Sequence, residues 1–222
     1  MQPVPASPQQ PHINLAGEKV AIGPMRKEYV PLYERWLTDF EVTRTLLFIR
    51  PMTREAEEAW YESGQKRENT VFFTIFLRDG LCPIGNAGLH DIDHKDGTAE
   101  FGILIGEKDC WGHGYGSEAT RLVLDYGFNV LALHNIMLRV YAFHERGLRC
   151  YRRAGFREIG RRREARRLAG QMFDVVMMDC LAREFTSPAV HKLFPPTSVA
   201  PQALQERAPD TPIATPETRR RA

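Results

Sequence analysis

The amino-acid sequence predicts an α/β (α+β) domain in which a mixed, mostly antiparallel sheet is flanked by helices. Three observations lead there. Between 71 and 105 the apolar residues take up a two-residue period in three runs, VFFTIFL, CPIGNAGL and TAEFGILI, separated by turn residues, which reads as an antiparallel meander. A glycine-rich stretch, CWGHGYGSEA (110–119), then opens into a run whose apolar positions recur at helical spacing. Beyond it the pattern gives a strand, a helix and two closing strands.

The elements follow in order. Residues 1–14 are rich in proline and glutamine and are expected to form a disordered extension. A short strand at 19–22 leads to a helix at 27–36 whose stripe is Leu32, Tyr33 and Trp36, with Pro31 suited to its first turn. The segment WLTDFEVTRTL reads as a loop entering a second short helix, with Thr38 or Asp39 available as its cap. A further helix at 53–65 carries acidic residues in its first turns, where the helix dipole favours them.

Asp79-Gly80 supplies the tight turn between strands 71–77 and 82–89. Residues 90–97 are polar and turn-like, and 98–105 is the third strand of the meander. Helix 117–131, strand 135–143, helix 146–154 and strands 157–166 and 172–181 complete a domain expected to span 15–187. From 188 to 222 the chain holds seven prolines and no periodicity, which predicts a disordered tail.

Composition excludes several classes. Thirty basic and 28 acidic residues leave a formal charge of +2, so no direct nucleic-acid partner is expected. No apolar run approaches the ~20 residues of a spanning helix, and the first residues lack the pattern of a secretory signal, which predicts a cytoplasmic protein. Four cysteines, at 82, 110, 150 and 180, form no CxxC pair and have no histidines at zinc-site spacing, so no metal is expected.

The chemistry centres on Gly112, Gly114 and Gly116 at the start of the helical run. Glycine permits positive φ and close approach, and the free amides of a helix start attract an anion, so the junction fits a phosphorylated ligand. An ordinary glycine-rich turn is the plainer reading. A phosphate-binding loop of the GxxxxGK type is excluded because no lysine follows these glycines. Gly114, Gly116 and Ala119 satisfy the GxGxxA of a dinucleotide fold, but the preceding strand ends near Ile105, too far away for the tight turn that fold requires. Coenzyme A is the third candidate.

Here the residues resemble a known family. WGHGYGSEA is similar to motif A of the GNAT acyltransferase superfamily, and especially to its ribosomal-protein (Rim-type) branch, where Trp111 stands in place of the wider superfamily's Gln or Arg. WLTDFEVTRTL, AEFGILIG, RGLRCYRRAGF and REIGRRREARRLAGQMFDVVMM resemble further motifs of that branch in the same order, over about residues 18–185.

The resemblance implies an acetyl-CoA-dependent N-acetyltransferase that acetylates a primary amine, of a small molecule or a protein, by direct attack in a ternary complex. It leaves room for a homodimer. A non-catalytic acyl-CoA sensor on the same fold is the alternative. In such a fold the fourth and fifth predicted strands splay apart. The pantetheine arm would lie along Phe101, Ile103, Leu104 and Ile105, with the pyrophosphate on the amides of Trp111, Gly112, His113, Gly114, Tyr115, Gly116 and Ser117. Ser117 could serve as helix cap, as hydroxyl donor, or as both.

Tyr151 matches the family's tyrosine that protonates the departing thiolate. His144 stands where the family commonly has asparagine; it can still offer a donor and an acceptor, and it could relay a proton near neutrality. Glu100, the only charge within TAEFGILI, is the candidate base, or equally the partner of an arginine. Asp39 and Glu41 are carboxylates suited to orienting a cationic amine at the acceptor mouth. The basic run Arg161, Arg162, Arg163, Arg166 and Arg167 reads as a solvated strand face, or more sharply as an attractor of an acidic acceptor. Cys110 and Cys150 lie near the site in sequence, but neither has an evident base to support a covalent route.

Overall fold

The computed structural model describes residues 10–47, 53–64 and 66–194. The expectations for 1–9 and for 195–222 lie outside the described residues. The described residues open with two short strands, β1 (Leu15–Ala16) and β2 (Val20–Pro24), where the sequence suggested one. The Gly17 N–H donates to the Val20 carbonyl at 2.8 Å, folding the intervening residues into a turn that pairs the two strands. A single 3₁₀ turn over Lys27–Tyr29 precedes α1 (Val30–Thr38), which begins where Pro31 allows it. The Asp39 carboxylate accepts the Glu41 N–H at 2.8 Å and so caps α2 (Phe40–Thr43), and Thr53 caps α3 (Arg54–Gly64).

The meander follows as β3 (Val71–Leu77), β4 (Pro83–Asp93) and β5 (Thr98–Ile105). β4 runs past the expected end at 89. Asp91 sits at φ 50° in a bulge, which re-aims the strand so that Leu89 and Ile92, three residues apart, are both buried. Next come α4 (Tyr115–Asn129), β6 (Asn135–Tyr141), α5 (Glu145–Ala154), β7 (Arg157–Leu168), β8 (Gln171–Leu181) and a last turn of helix, α6 (Val190–Leu193). α4 thus starts two residues before the expected 117.

The expected start of the tail at 188 is also displaced. Oδ2 of Asp125, a fully buried carboxylate on α4, accepts the amides of Ala189 at 2.8 Å and Val190 at 2.9 Å, and both of those residues are buried. These bonds hold the chain against the domain beyond 187.

Among the described residues, eight strands form one sheet in the order β1-β2-β3-β4-β5-β6-β8-β7. Every neighbouring pair is antiparallel except β5 with β6. That parallel pair is ladder-bonded only from Thr98↔Asn135 to Glu100↔Met137, after which the strands part. The expected splay is therefore present, between what are β5 and β6 in the full count. β6 remains paired with β8 along its whole length, so the gap opens on one side only.

Strand alternation divides the sheet into two faces. Phe73, Ala87, Leu89, Phe101 and Val140 pack with Leu122, Val123 and Phe128 of α4 and with Leu148 of α5. On the opposite face Phe72 and Leu104 pack with Tyr33 and Trp36 of α1 and with Trp60 and Tyr61 of α3. The gap between β5 and β6 is thus reached from both faces, and this positions the site.

Candidate active site

The α4 side of the gap is made of backbone groups. Gly112 and Gly114 both lie at φ 86°, and a Cβ on Gly112 would meet nothing within 4 Å, so conformation and not crowding calls for glycine there. Gly114 is the N-cap of α4. Ser117 therefore lies inside the first turn and not at the cap, and its hydroxyl is near the Cys150 thiol.

The first three amides of α4 have no carbonyl to bond within the helix. Among the described residues no backbone acceptor is found for the amides from Gly112 to Ser117. Trp111 differs: its N–H bonds the Lys108 carbonyl at 3.0 Å, and its indole Nε1 donates to the Ile105 carbonyl at 2.8 Å. Trp111 latches the loop to the end of β5, and its amide does not join the anion-binding row expected from the sequence. The Arg146 guanidinium lies 4.2 Å from the centre of the Trp111 ring.

A cavity of about 290 Å³ joins these groups. Ile103, Leu104, Ile105, Trp111, Gly112, Gly114, Tyr115, Gly116, Ser117, His144 and Tyr151 line it, together with Cys110, Cys150 and three cations to which the sequence reading gave no role, Arg146, Arg149 and Arg153. The loop amides and these arginines suit a diphosphate, and the free edge of β5 suits an amide-bearing arm lying as an added strand. His113 does not line the cavity; its carbonyl accepts from Lys19 and its ring stacks on Tyr115.

On the α1 and α3 side the walls are side chains. A cavity of about 580 Å³ is lined by Met25, Tyr33, Leu37, Trp60 and Phe72, by the polar groups of Glu57, Asn86, His90, Glu100 and Arg139, and by Arg166. Gly102 of β5 lines it, and a Cβ there would meet nothing within 4 Å. Phe101 belongs to this cavity and not to the narrower one.

Tyr151 lines both cavities. The left-handed Gly155 ends α5, and the Phe156 N–H bonds the Tyr151 carbonyl at 3.0 Å, which places the Phe156 ring 6.1 Å from the Tyr151 ring. Phe101 packs edge-on from the sheet at 6.3 Å. Burial among these groups drives the phenol pKa well above its ordinary value, so Tyr151 carries its proton at neutral pH.

The remaining expected residues fall as follows. The Glu100 carboxylate is 2.8 Å from Nε of Arg139, so its arginine partnership is the one present. His90, Asp91 and Glu100 bring ligand atoms within 4.8 Å of one another, but the Arg139 guanidinium occupies the Glu100 end of that group. Asp39 and Glu41 line neither cavity; both pair with Lys108, at 2.9 and 3.0 Å. Of the basic run, Arg161 pairs with Glu158 and Asp174, and Arg166 reaches the rim of the wider cavity.

His144 lines the donor-side cavity, but burial, together with the charges of Arg146 and Arg44, pulls its pKa down to about 4. It is neutral at physiological pH, which corrects the expectation of a relay near neutrality. Burial raises the pKa of the Cys150 and Cys110 thiols, which disfavours the thiolate a covalent route needs.

Glu57 escaped the sequence reading, although it precedes Trp60 and Tyr61 by three and four residues and so shares the apolar stripe of α3. It is 1% exposed. Burial first, and then the charge of Glu34, pushes its pKa up to about 7.

Comparison with known proteins bears on the family and the fold. The model of the acetyltransferase (GNAT) domain matches residues 19–157. An uncharacterized N-acetyltransferase, p20 of Bacillus licheniformis, is 32% identical over 51% of this chain and 63% of its own length. The chain thus matches just under two thirds of that relative. The human alpha/beta-tubulin-N-acetyltransferase 9 is 28% identical over 65% of this chain and 75% of its own. The crystal structure of spermidine N-acetyltransferase from Vibrio cholerae, in complex with CoA and spermine, superposes with a TM-score of 0.70 at 22% identity, covering 75% of this chain and 97% of that one. Among the described residues no helix is long and apolar enough to cross a membrane. The family match covers more than half of the sequence, and the chain belongs to the GNAT acetyltransferase family, whose members are acyltransferases that draw on acetyl-CoA.

Proposed function

We propose that the protein is an acetyl-CoA-dependent N-acetyltransferase that acetylates a primary amine by direct attack in a ternary complex. The observation that carries this reading is the placement of Tyr151 in the wall of both cavities, where β5 and β6 part. One cavity presents amides without acceptors and three arginines, and fits the pyrophosphate and arm of coenzyme A. The other is aromatic and contains carboxylates, and fits an amine. The WGHGYGSEA motif supports a place in the Rim-type branch.

When bound, acetyl-CoA supplies an acetyl group activated as a thioester. The protein's own groups do the rest. The row from Gly112 to Ser117, with Arg146, Arg149 and Arg153, would anchor the phosphates, and the edge of β5 from Ile103 to Ile105 would orient the arm. The amine lone pair forms the new C–N bond as the C–S bond breaks. Tyr151 gives its phenolic proton to the departing sulfur, a role suited to a phenol held protonated by burial. The surplus proton of the amine leaves through water past Glu100. Neutral His144 retains one donor and one acceptor for the arm.

The names of the relatives point to two acceptor types, a polyamine and a protein amine. A thiol-release assay with acetyl-CoA tests the reading against a panel of both, with mass spectrometry of the products. Amine-dependent release with a mass increase of one acetyl group is expected. Tight coenzyme A binding without release for any amine would leave the non-catalytic sensor instead.

A further inference from the structure

The polar atoms of the wider cavity are unevenly satisfied. Oε2 of Glu57 and Oδ1 of Asn86 are both buried, and neither has a hydrogen-bond partner among the described residues. They come from elements that share no sequence proximity, α3 and the centre of β4, and both line the wider cavity. A buried acceptor without a donor is costly, and a pair of them in one cavity marks a place where a ligand's donors belong.

The surroundings limit what that ligand can be. Tyr33, Trp60 and Phe72 supply aromatic walls, and Met25 and Leu37 supply aliphatic ones. Aromatic faces and a carboxylate attract an ammonium, and the apolar stretch suits a methylene chain. Tyr151, where the acetyl group is exchanged, lines the same cavity. An amine seated with one nitrogen at Tyr151 would therefore carry its other end towards two buried acceptors that have no donor among the described residues.

We propose that Glu57 and Asn86 form a specificity site for a second cationic or donor-bearing nitrogen of the acceptor, so that the preferred substrate is a small aliphatic diamine or polyamine. This rests on the acetyltransferase reading of the same cavity. Glu57 is a positioning residue here and takes no part in the chemistry at the thioester.

The other charges around Glu57 fit this assignment. Glu34 on α1 adds negative potential, although Arg54 holds its carboxylate at 2.9 Å. Tyr33, also on α1, is bonded to Thr74 and is pushed up to about 12 by burial, so it stays neutral. On the strands Glu100 and Arg139 neutralise each other, His90 lies against Asp91, and Arg166 stands on the exposed rim of β7. Glu57 titrates at about 7 in the free protein, and a bound ammonium lowers that value, so amine binding releases a proton from Glu57 near neutral pH.

The test compares diaminooctane with octylamine, first by quenching of tryptophan fluorescence, which needs no turnover, and then by KM in the thiol-release assay. The wild-type protein is expected to bind the diamine about tenfold more tightly than the monoamine, and Glu57→Gln to bring the two within about twofold while kcat changes little. The wild-type preference should grow as pH rises from 6 to 8, and Glu57→Gln should flatten that dependence. Asn86→Leu, on a different element, is expected to lower the same preference and guards against misfolding of the first variant. A preference unchanged in both variants, or absent in the wild-type protein, overturns the proposal. Absence of thiol release with every amine, alongside an intact binding preference, overturns the catalytic reading alone.

Discussion

The two sides of the splayed gap are built by opposite means. The donor side centres on a short, contiguous stretch of backbone, Gly112 to Ser117, with the adjoining edge of β5 and three arginines of α5. The acceptor side is assembled from side chains of α1, α3, β3, β4, β5 and β6, far apart in the chain. A backbone cradle recognises groups common to every acyl-CoA and tolerates many side chains, provided two residues can hold φ 86°. A side-chain cavity recognises one shape and charge pattern, so specificity resides there.

The largest effect is expected where the two sides meet. Tyr151→Phe should lower kcat by ~10²–10⁴, the usual range for loss of a general acid, and leave the coenzyme A dissociation constant nearly unchanged. Steady-state kinetics beside calorimetric titration separates the two quantities. A fall in affinity with kcat preserved would mean that Tyr151 packs against the cofactor and does not donate to it.

Two glycine substitutions should then divide the sides. Gly114→Val forces a β-branched residue into a left-handed conformation, at a cost of ~1–3 kcal/mol, and should weaken coenzyme A binding by about tenfold or more without changing amine binding. Gly102→Val projects into the open floor of the wider cavity and should do the reverse, raising the amine KM while sparing coenzyme A. If both variants damage both ligands equally, the two-sided division fails.

The smallest effect concerns stability. His144 is held neutral, with its pKa depressed from 6.5 to about 4. The unfolded chain takes up this proton near 6.5 and the folded one only near 4, so stability falls as pH drops through that window. His144→Gln should flatten the slope of Tm against pH between 6.5 and 4.

What could be read from the sequence follows the same division. The meander and the glycine cradle were legible because period, turn residues and glycine spacing are local signals, whereas the splay was expected only from the family resemblance. Tyr151 was legible only through its match to a family motif, since a tyrosine in a helix ordinarily signals packing. The acceptor wall was not legible. Glu57 reads locally as a favourable charge in the first turns of α3, and only the fold of α3 onto the sheet turns it into a buried carboxylate. Asp39 and Glu41 had the right charge, but Lys108, distant in sequence, pairs with both. The Arg139 partner of Glu100 was hidden for the same reason, since it lies on a neighbouring strand that no spacing rule exposes. The hold of Asp125 on Ala189 and Val190 likewise depends on a contact across the fold.

The central claim is that donor and acceptor occupy opposite faces of the gap and meet at Tyr151. Amide and indole chemical shifts, followed by NMR during separate titrations with coenzyme A and with diaminooctane, test it most directly. Coenzyme A is expected to move Gly112 to Ser117 and Ile103 to Ile105, and the diamine to move the Trp60 indole, Asn86 and Gly102 while leaving Gly112 to Ser117 in place. Displacement of the same loop amides by both ligands would contradict the account.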